Sequence, residues 1–242
     1  LFHVSGHAGV ANSLALAFRA VDKNSQDPAG GKFGRDPLTG ELNGLCEGMS
    51  AMGKMGDSEF QISYEKFLSA YVDAADEYLG QGVTLAQNAW ATKTLLGYFG
   101  QIANESQPPI DTMVLPAGFL EPKLTSGELD IPLPEPGSGI FLVPRKVFVD
   151  GSFHLQTACL TQPYFKPLNG DPHHRCELPF SREQMVTRIS KLHDLGFQCH
   201  IHANGDAAAD LALDAIEAAQ RANRREDHRH TLIHSQNLRE DQ

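Results

Sequence analysis

The feature that most constrains this chain is the exchange of strand-like and helix-like hydrophobic patterns through its second half. Val147–Asp150 is a β-branched run closed by Gly151. Ser181, with Gln184 three residues on, has capping-box spacing, and Met185, Ile189, Leu192 and Leu195 then form one apolar stripe before Gly196. Phe197–Ala203 reads as the next strand. Asp206 caps an Ala- and Leu-rich helix to about Ala219, a charged turn Arg221–Arg229 follows, and His230–His234 reads as a strand. A β-α-β-α-β order implies parallel strands, because each parallel neighbour needs a crossover and the helix supplies it.

The same rhythm extends upstream. Ser63 opens a helix carrying Phe67, Leu68, Tyr71, Val72, Ala75 and Leu79, and Gly80 and Gly82 end it. Val83–Ala89 reads as a strand, Thr92–Ala103 as a helix, Thr112–Leu115 as a strand, and Leu1–Val4 as one more. About six strands in βα units fit an α/β fold of the partial (β/α)8 barrel kind, lacking strands at each side; a doubly wound sheet is the alternative. Residues 1–242 then form the central portion of one barrel domain. Loop insertions are expected near 24–60, where Asp27–Gly56 is rich in Gly, Asp and Met, and near 120–139, where Leu120–Gly139 is rich in Pro and Glu. The first should lie over the active-site face. The chain opens at Leu1 within an apolar stretch and closes after a polar segment, Asn237–Asp241, that reads as a helix start. Both ends read as cut from a longer protein.

Composition narrows the partners. Twenty basic against thirty acidic residues give a net charge of −10. Phosphate-rich partners need clustered Lys and Arg, so nucleic acid and anionic membrane are disfavoured. No apolar run approaches the ~20 residues that cross a bilayer. Cys46, Cys159, Cys176 and Cys199 lie far apart without a CxxC pair, which argues against a zinc knuckle. Four free buried thiols in a cytoplasmic protein is the plainest reading. The GxSxG, GxGxxG, GxxxxGK[ST] and HExxH signatures are absent, which disfavours a serine hydrolase, a dinucleotide-dependent oxidoreductase and a P-loop NTPase.

Eleven histidines are the unusual count. Period-2 alternation puts Phe197, Cys199, Ile201 and Ala203 against the helices and His200, His202 and Asn204 on the barrel interior. In the next strand it puts His230, Leu232 and His234 inside and Thr231, Ile233 and Ser235 outside. A lone buried His is usually a hydrogen-bonded core residue. Two inward imidazoles on successive strands need a shared partner, and a divalent metal is the usual one, so His202 and His234 are candidate ligands. Lys146 shares a face with Phe148 and Asp150. It either snorkels to solvent at a strand edge or points inward, where an unpaired ammonium is costly. His200 is a second-layer or interior hydrogen-bond residue. His173, His174 and His228 read as solvent-facing, and His193 carries no functional signal.

Several stretches resemble the YtcJ-like amidohydrolases, the amidohydrolase family 3 group. They are Ser5-Gly-His-Ala-Gly-Val-Ala-Asn-Ser-Leu-Ala-Leu16, Lys146-Val-Phe-Val-Asp-Gly-Ser152 with Thr157-Ala-Cys-Leu-Thr-Gln-Pro-Tyr164, His202-Ala-Asn-Gly-Asp206 and Arg229-His-Thr-Leu-Ile-His-Ser-Gln236. Gly30–Glu47 and Gly82-Val-Thr84 add to the likeness. The resemblance implies a metal-dependent hydrolase that cleaves amide, formamide or cyclic amide C–N bonds on a barrel flanked by a small β-sandwich. It implies one or two zinc ions held by His202 and His234. Lys146 would be N-carboxylated and bridge the metals. His7 falls on the family's catalytic-pocket histidine, with Asn12, His200 and Asp206 as substrate-binding positions, although Asp206 also serves as a helix cap. The family's first-strand HxH and last-strand general-base Asp are expected before Leu1 and after Gln242, so the chain alone should be weakly active or inactive. The expected partner is a small amide-type substrate, with homo-oligomerisation left open. The rivals are a catalytically inactive ligand-binding relative and a mononuclear deaminase-type member with Lys146 unmodified.

Overall fold

A computed structural model of the chain describes residues 1–3, 6–28, 31–55, 62–105, 108–118, 120–128, 137–142, 144–168 and 170–242. Val4, Ser5, Gly30, Gly56 and the centre of the Leu120–Gly139 stretch lie outside these described residues. The strand expected at Leu1–Val4 is therefore seen only as a bridge from Phe2 to Gly9.

The N-terminal part is an antiparallel layer. It contains β1 (Ala8–Val10), α1 (Ser13–Phe18), β2 (Lys32–Arg35), β3 (Leu42–Glu47) and α2 (Met49–Met55), with strand order β1-β3-β2. The Asp27–Gly56 stretch is thus a hairpin and a helix, not a loop. Its Gly and Asp residues are turn chemistry: the Asp36 carboxylate accepts from the Leu38 and Thr39 amides, and Gly40 takes a positive φ of 73°. Phe33 and Cys46 pair across the hairpin and bury against Leu16, Val21, Ala51 and Met52.

The middle part is α3 (Tyr64–Gly80), β4 (Leu85–Ala91), α4 (Lys93–Glu105), β5 (Asp111–Pro116), α5 (Glu121–Ser126) and β6 (Ile140–Phe141). Its strands run parallel in the order β4-β5-β6. The expected strand at Val83 starts two residues later, because the Gly82 and Val83 amides bond back to Leu79 and Tyr78 and finish the helix.

The C-terminal part is β7 (Arg145–Phe148), α6 (Arg182–Asp194), β8 (Cys199–Ala203), α7 (Asp206–Ala222) and β9 (Thr231–His234), again parallel and in the order β7-β8-β9. The capping box of Ser181 and Gln184 is present with both of its bonds. Ala208, Ala212, Ala215 and Ala219 line one side of α7 and, with Met185, Ile189 and Leu192 of α6, cover Val147, Val149, Cys199, Ile201 and Ala203. Small alanines let α7 lie close on the sheet. The N-cap of α7 is Gly205, so Asp206 is the first helical residue and not the cap.

The architecture is mixed α/β, and within each parallel sheet the strands keep sequence order, without the reversal of a doubly wound sheet. Cys159 and Cys176 form a disulfide, while Cys46 and Cys199 stay free and buried. That corrects the expectation of four free thiols and removes its support for a cytoplasmic location. Among the described residues no helix is long and apolar enough to cross a membrane.

Candidate metal centre

The register Lys146↔His200 and Phe148↔His202 sets these four side chains on one face of β7 and β8, opposite the helix-covered face. Lys146 is 3% exposed, so it does not snorkel. Its ammonium sits over the Phe148 ring at 4.9 Å and has no ion pair or hydrogen bond among the described residues. Burial lowers its pKa to about 8.

On β9 the alternation is the reverse of the sequence expectation. Leu232 registers with Ile201 and packs into the helix-facing core, whereas Thr231 and Ile233 register with the inward His200 and His202. His230 likewise reaches Nδ1 of His193 on α6. A shift of one residue exchanges the faces of a strand, and Leu232 gains more by burial among apolar helix residues. His234 registers with Ala203, whose side chain faces the helices. It nevertheless reaches the inner site, because His234 and Ser235 adopt φ of 73° and 48° and turn the strand end over. Its ring centroid stands 4.6 Å from that of His202. Positive φ at a non-glycine residue is strained, and such strain gathers at functional sites.

His202 is held by its surroundings. Its Nε2–H donates to the Gly151 carbonyl at 2.8 Å, which leaves Nδ1 as the bare ring nitrogen. Asp150 Oδ1 lies 3.5 Å from the same Nε2. Burial pushes the Asp150 carboxyl up to about 6, against three amide donors, Asn204, Gly205 and Cys159, that favour its anion. Burial brings His202 down to about 3. At neutral pH the contact therefore joins a carboxylate to a neutral imidazole, the form that can ligate a metal. Gly205 is required because a Cβ there would overlap the Cys159 carbonyl.

His7, just before β1, is 8% exposed, with its ring 5.3 Å from that of His202. Burial is the largest cause of the lowered pKa of His7, His200, His202 and His234, and the Lys146 charge contributes to all four. The sequence-expected His7, Lys146, His200, His202 and His234 thus come together. Asn12 does not join them: it is exposed, and its Oδ1 caps α1 by accepting from the Ala15 amide. Asp206 is buried with its carboxylate engaged by the Thr161 amide and hydroxyl and by Arg239, so it ties the loop after β7 to α7.

Of the histidines read as solvent-facing, His173 is exposed, while His174 and His228 are partly buried and bonded. His193 is fully buried, bonded to His230 and to the Asn223 carbonyl. His228 accepts from the His230 amide, and His174 bonds the Gln156 carbonyl and stacks on Tyr164. Sequence reasoning put Asp150 on the inner face but gave it no role, and it gave none to the Gly151 carbonyl. The Asp-Gly pair directly after the lysine strand was the available signal. Among the described residues no group of three or more His, Cys, Asp or Glu is placed to hold a metal.

Comparison with known proteins bears on the family and the fold. The chain is 29% identical over 249 residues to the protein LONG AFTER FAR-RED 3 of Arabidopsis thaliana, covering 98% of this chain and 41% of that protein. It is 26% identical to the putative amidohydrolase YtcJ of Bacillus subtilis, covering 98% and 43%. To the N-substituted formamide deformylase of Arthrobacter pascens it is 24% identical, covering 91% and 41%. An uncharacterized metal-dependent hydrolase from Pyrococcus furiosus superposes with a TM-score of 0.61 at 24% identity, over 89% of this chain and 42% of that one, and shares the fold. The chain spans about two-fifths of the length of these relatives. The amidohydrolase family profile matches residues 1–242, and the chain belongs to that family.

Proposed function

We propose that the protein containing this chain is a metal-dependent hydrolase of non-peptide C–N bonds in amides, formamides or cyclic amides, built on a (β/α)8 barrel of which β4 to β9 are an arc. The observation that carries this reading is the meeting of His202 and His234, ring centroids 4.6 Å apart, beside the desolvated and unpaired Lys146. The formamide deformylase relative supports the bond class.

The donor set fits one or two zinc ions. His202 offers Nδ1, since Nε2–H is fixed on Gly151, and His234 offers a ring with no protein hydrogen bond among the described residues. Lys146 repels a cation as an ammonium. As an N-carboxylate it would supply anionic oxygen ligands for such ions, which would also offset the cost of burying its charge. A divalent ion at this place would supply a Lewis acid for the carbonyl and lower the pKa of a bound water to about 7.

The other residues orient and donate. His7, held neutral by burial, donates one N–H to the developing oxyanion without bringing a charge into the site. Asp150 fixes the turn after β8 through the Asn204 and Gly205 amides and thereby aims His202. Asp206 is the proposed substrate-side position, through the Thr161 loop that it anchors, whereas Asn12 serves as the cap of α1 and His200 belongs to the Lys146 row.

The test is zinc content and turnover of an N-substituted formamide by the full-length protein with His202→Ala or His234→Ala. Loss of both is expected; native zinc content with native turnover sinks the reading. A stoichiometry near one zinc with unmodified Lys146 would favour a mononuclear site instead.

A further inference from the structure

The row of side chains one layer below His202 contains a donor without an acceptor. Gln198 Nε2 donates to the Arg229 carbonyl at 2.6 Å, which fixes its amide orientation. Its second hydrogen then points at His200 Nε2, 3.0 Å away. His200 must accept there, so the neutral ring carries its proton on Nδ1. That Nδ1 is buried and has no hydrogen-bond partner among the described residues. His200 is 5% exposed, and a buried N–H left unpaired costs roughly 1–3 kcal/mol.

The neighbour in register is Lys146, also on the inner face, also buried and, among the described residues, also without an acceptor. Left as an ammonium, Lys146 adds only donors to a row in which His200 already has one to spare. We propose that His200 is a positioning residue for the N-carboxylate of Lys146, donating its Nδ1–H to one carbamate oxygen and fixing the plane in which the group meets the metals. This rests on the reading that Lys146 is carboxylated. The chemistry balances: the neutral Nζ lone pair attacks the carbon of CO2, an N–C bond forms, one C=O π pair becomes the carboxylate charge, and a proton leaves Nζ for bulk water. Two unmatched donors thereby become one donor and one acceptor.

Gln198 acts through His200 by locking its tautomer. His200→Leu removes the donor. His200→Asn restores it, because the asparagine amide nitrogen stands close to where Nδ1 stood. Gln198→Met leaves His200 in place and frees the proton to move.

The experiment is a [13C]bicarbonate titration of the zinc-loaded full-length protein, following the carbamate resonance by 13C NMR with zinc content measured alongside. In His200→Leu the half-saturating bicarbonate is expected to rise roughly tenfold, the effect of one hydrogen bond to a charged group. His200→Asn is expected to stay near native, and Gln198→Met to fall between, which serves if His200→Leu does not fold. Equal half-saturation in native, His200→Leu and Gln198→Met overturns the role of His200 and leaves the carboxylation reading intact. A native protein with no carbamate resonance at saturating bicarbonate overturns both.

Discussion

The C-terminal sheet carries a histidine group at each end, and the two are opposites. At the start of β8 and β9, His193, His228 and His230 are closed by protein. His230 Nδ1 accepts from the Cys199 amide, its Nε2–H goes to His193 Nδ1, and His193 Nε2–H goes to Asn223. At the other end of the same strands, His202 and His234 keep ring nitrogens bare, and Lys146 has no acceptor, among the described residues. Residue type is shared; the supply of hydrogen-bond partners differs. A saturated cluster joins α6 to β9, and an unsaturated one is poised for a ligand.

The largest expected effect tests the open group. His202→Ala should weaken zinc binding by about 100-fold or more, measured by competition with a chelator, whereas His193→Ala should leave it within about 2-fold. Equal losses from both would erase the distinction. Next, Asp150→Asn is expected to lower zinc affinity about 10–100-fold with the fold retained by circular dichroism, because an amide cannot accept from all three backbone donors. On the closed side, His193→Ala should cost about 2–3 kcal/mol in urea unfolding, since it orphans His230 and the Asn223 carbonyl.

Smaller effects follow from charge. Lys146→Met should raise the Tm of metal-free protein by roughly 5 °C while abolishing bicarbonate-dependent zinc binding. Its sign is fixed by the depressed pKa of about 8: the unfolded chain holds the proton more tightly, so burial of the charge costs stability at neutral pH. His230 has the same direction of shift, down to about 4 through burial and its neighbours His228, His193 and Arg225. The unfolded chain binds more protons between about pH 6.5 and 4, so metal-free stability should fall as pH drops through that window. His230→Gln should flatten the slope in thermal melts taken across it.

Much of this was legible in the sequence. The capping box at Ser181, the Ser63 cap and the alanine stripe of α7 state their own conformations locally. The inward phase of His200 and His202 followed from alternation, because apolar Ile201 and Ala203 leave no other face for the helices; for Lys146 alternation gave the face shared with Phe148 and left snorkelling and inward pointing both open. The Asp27–Gly56 stretch was misread because turn residues dominate its composition, although Phe33 and Cys46 pair across it. The end of β9 was misread as well: alternation alone placed His234 inside, and it arrives there from the opposite phase.

What the sequence determined by itself is periodicity and punctuation: the strands and helices of the middle and C-terminal parts, that those strands run parallel, and which family the chain resembles. Only the tertiary structure decided which histidine nitrogens are occupied. That depends on carbonyls and amides distant in sequence, such as Gly151 for His202 and Asn223 for His193. It also decided that Lys146 is desolvated rather than exposed, that Cys159 joins Cys176, and that a left-handed turn at His234 carries its ring to His202. Local propensity is written into neighbouring residues, whereas solvation and hydrogen-bond supply exist only once distant segments have packed.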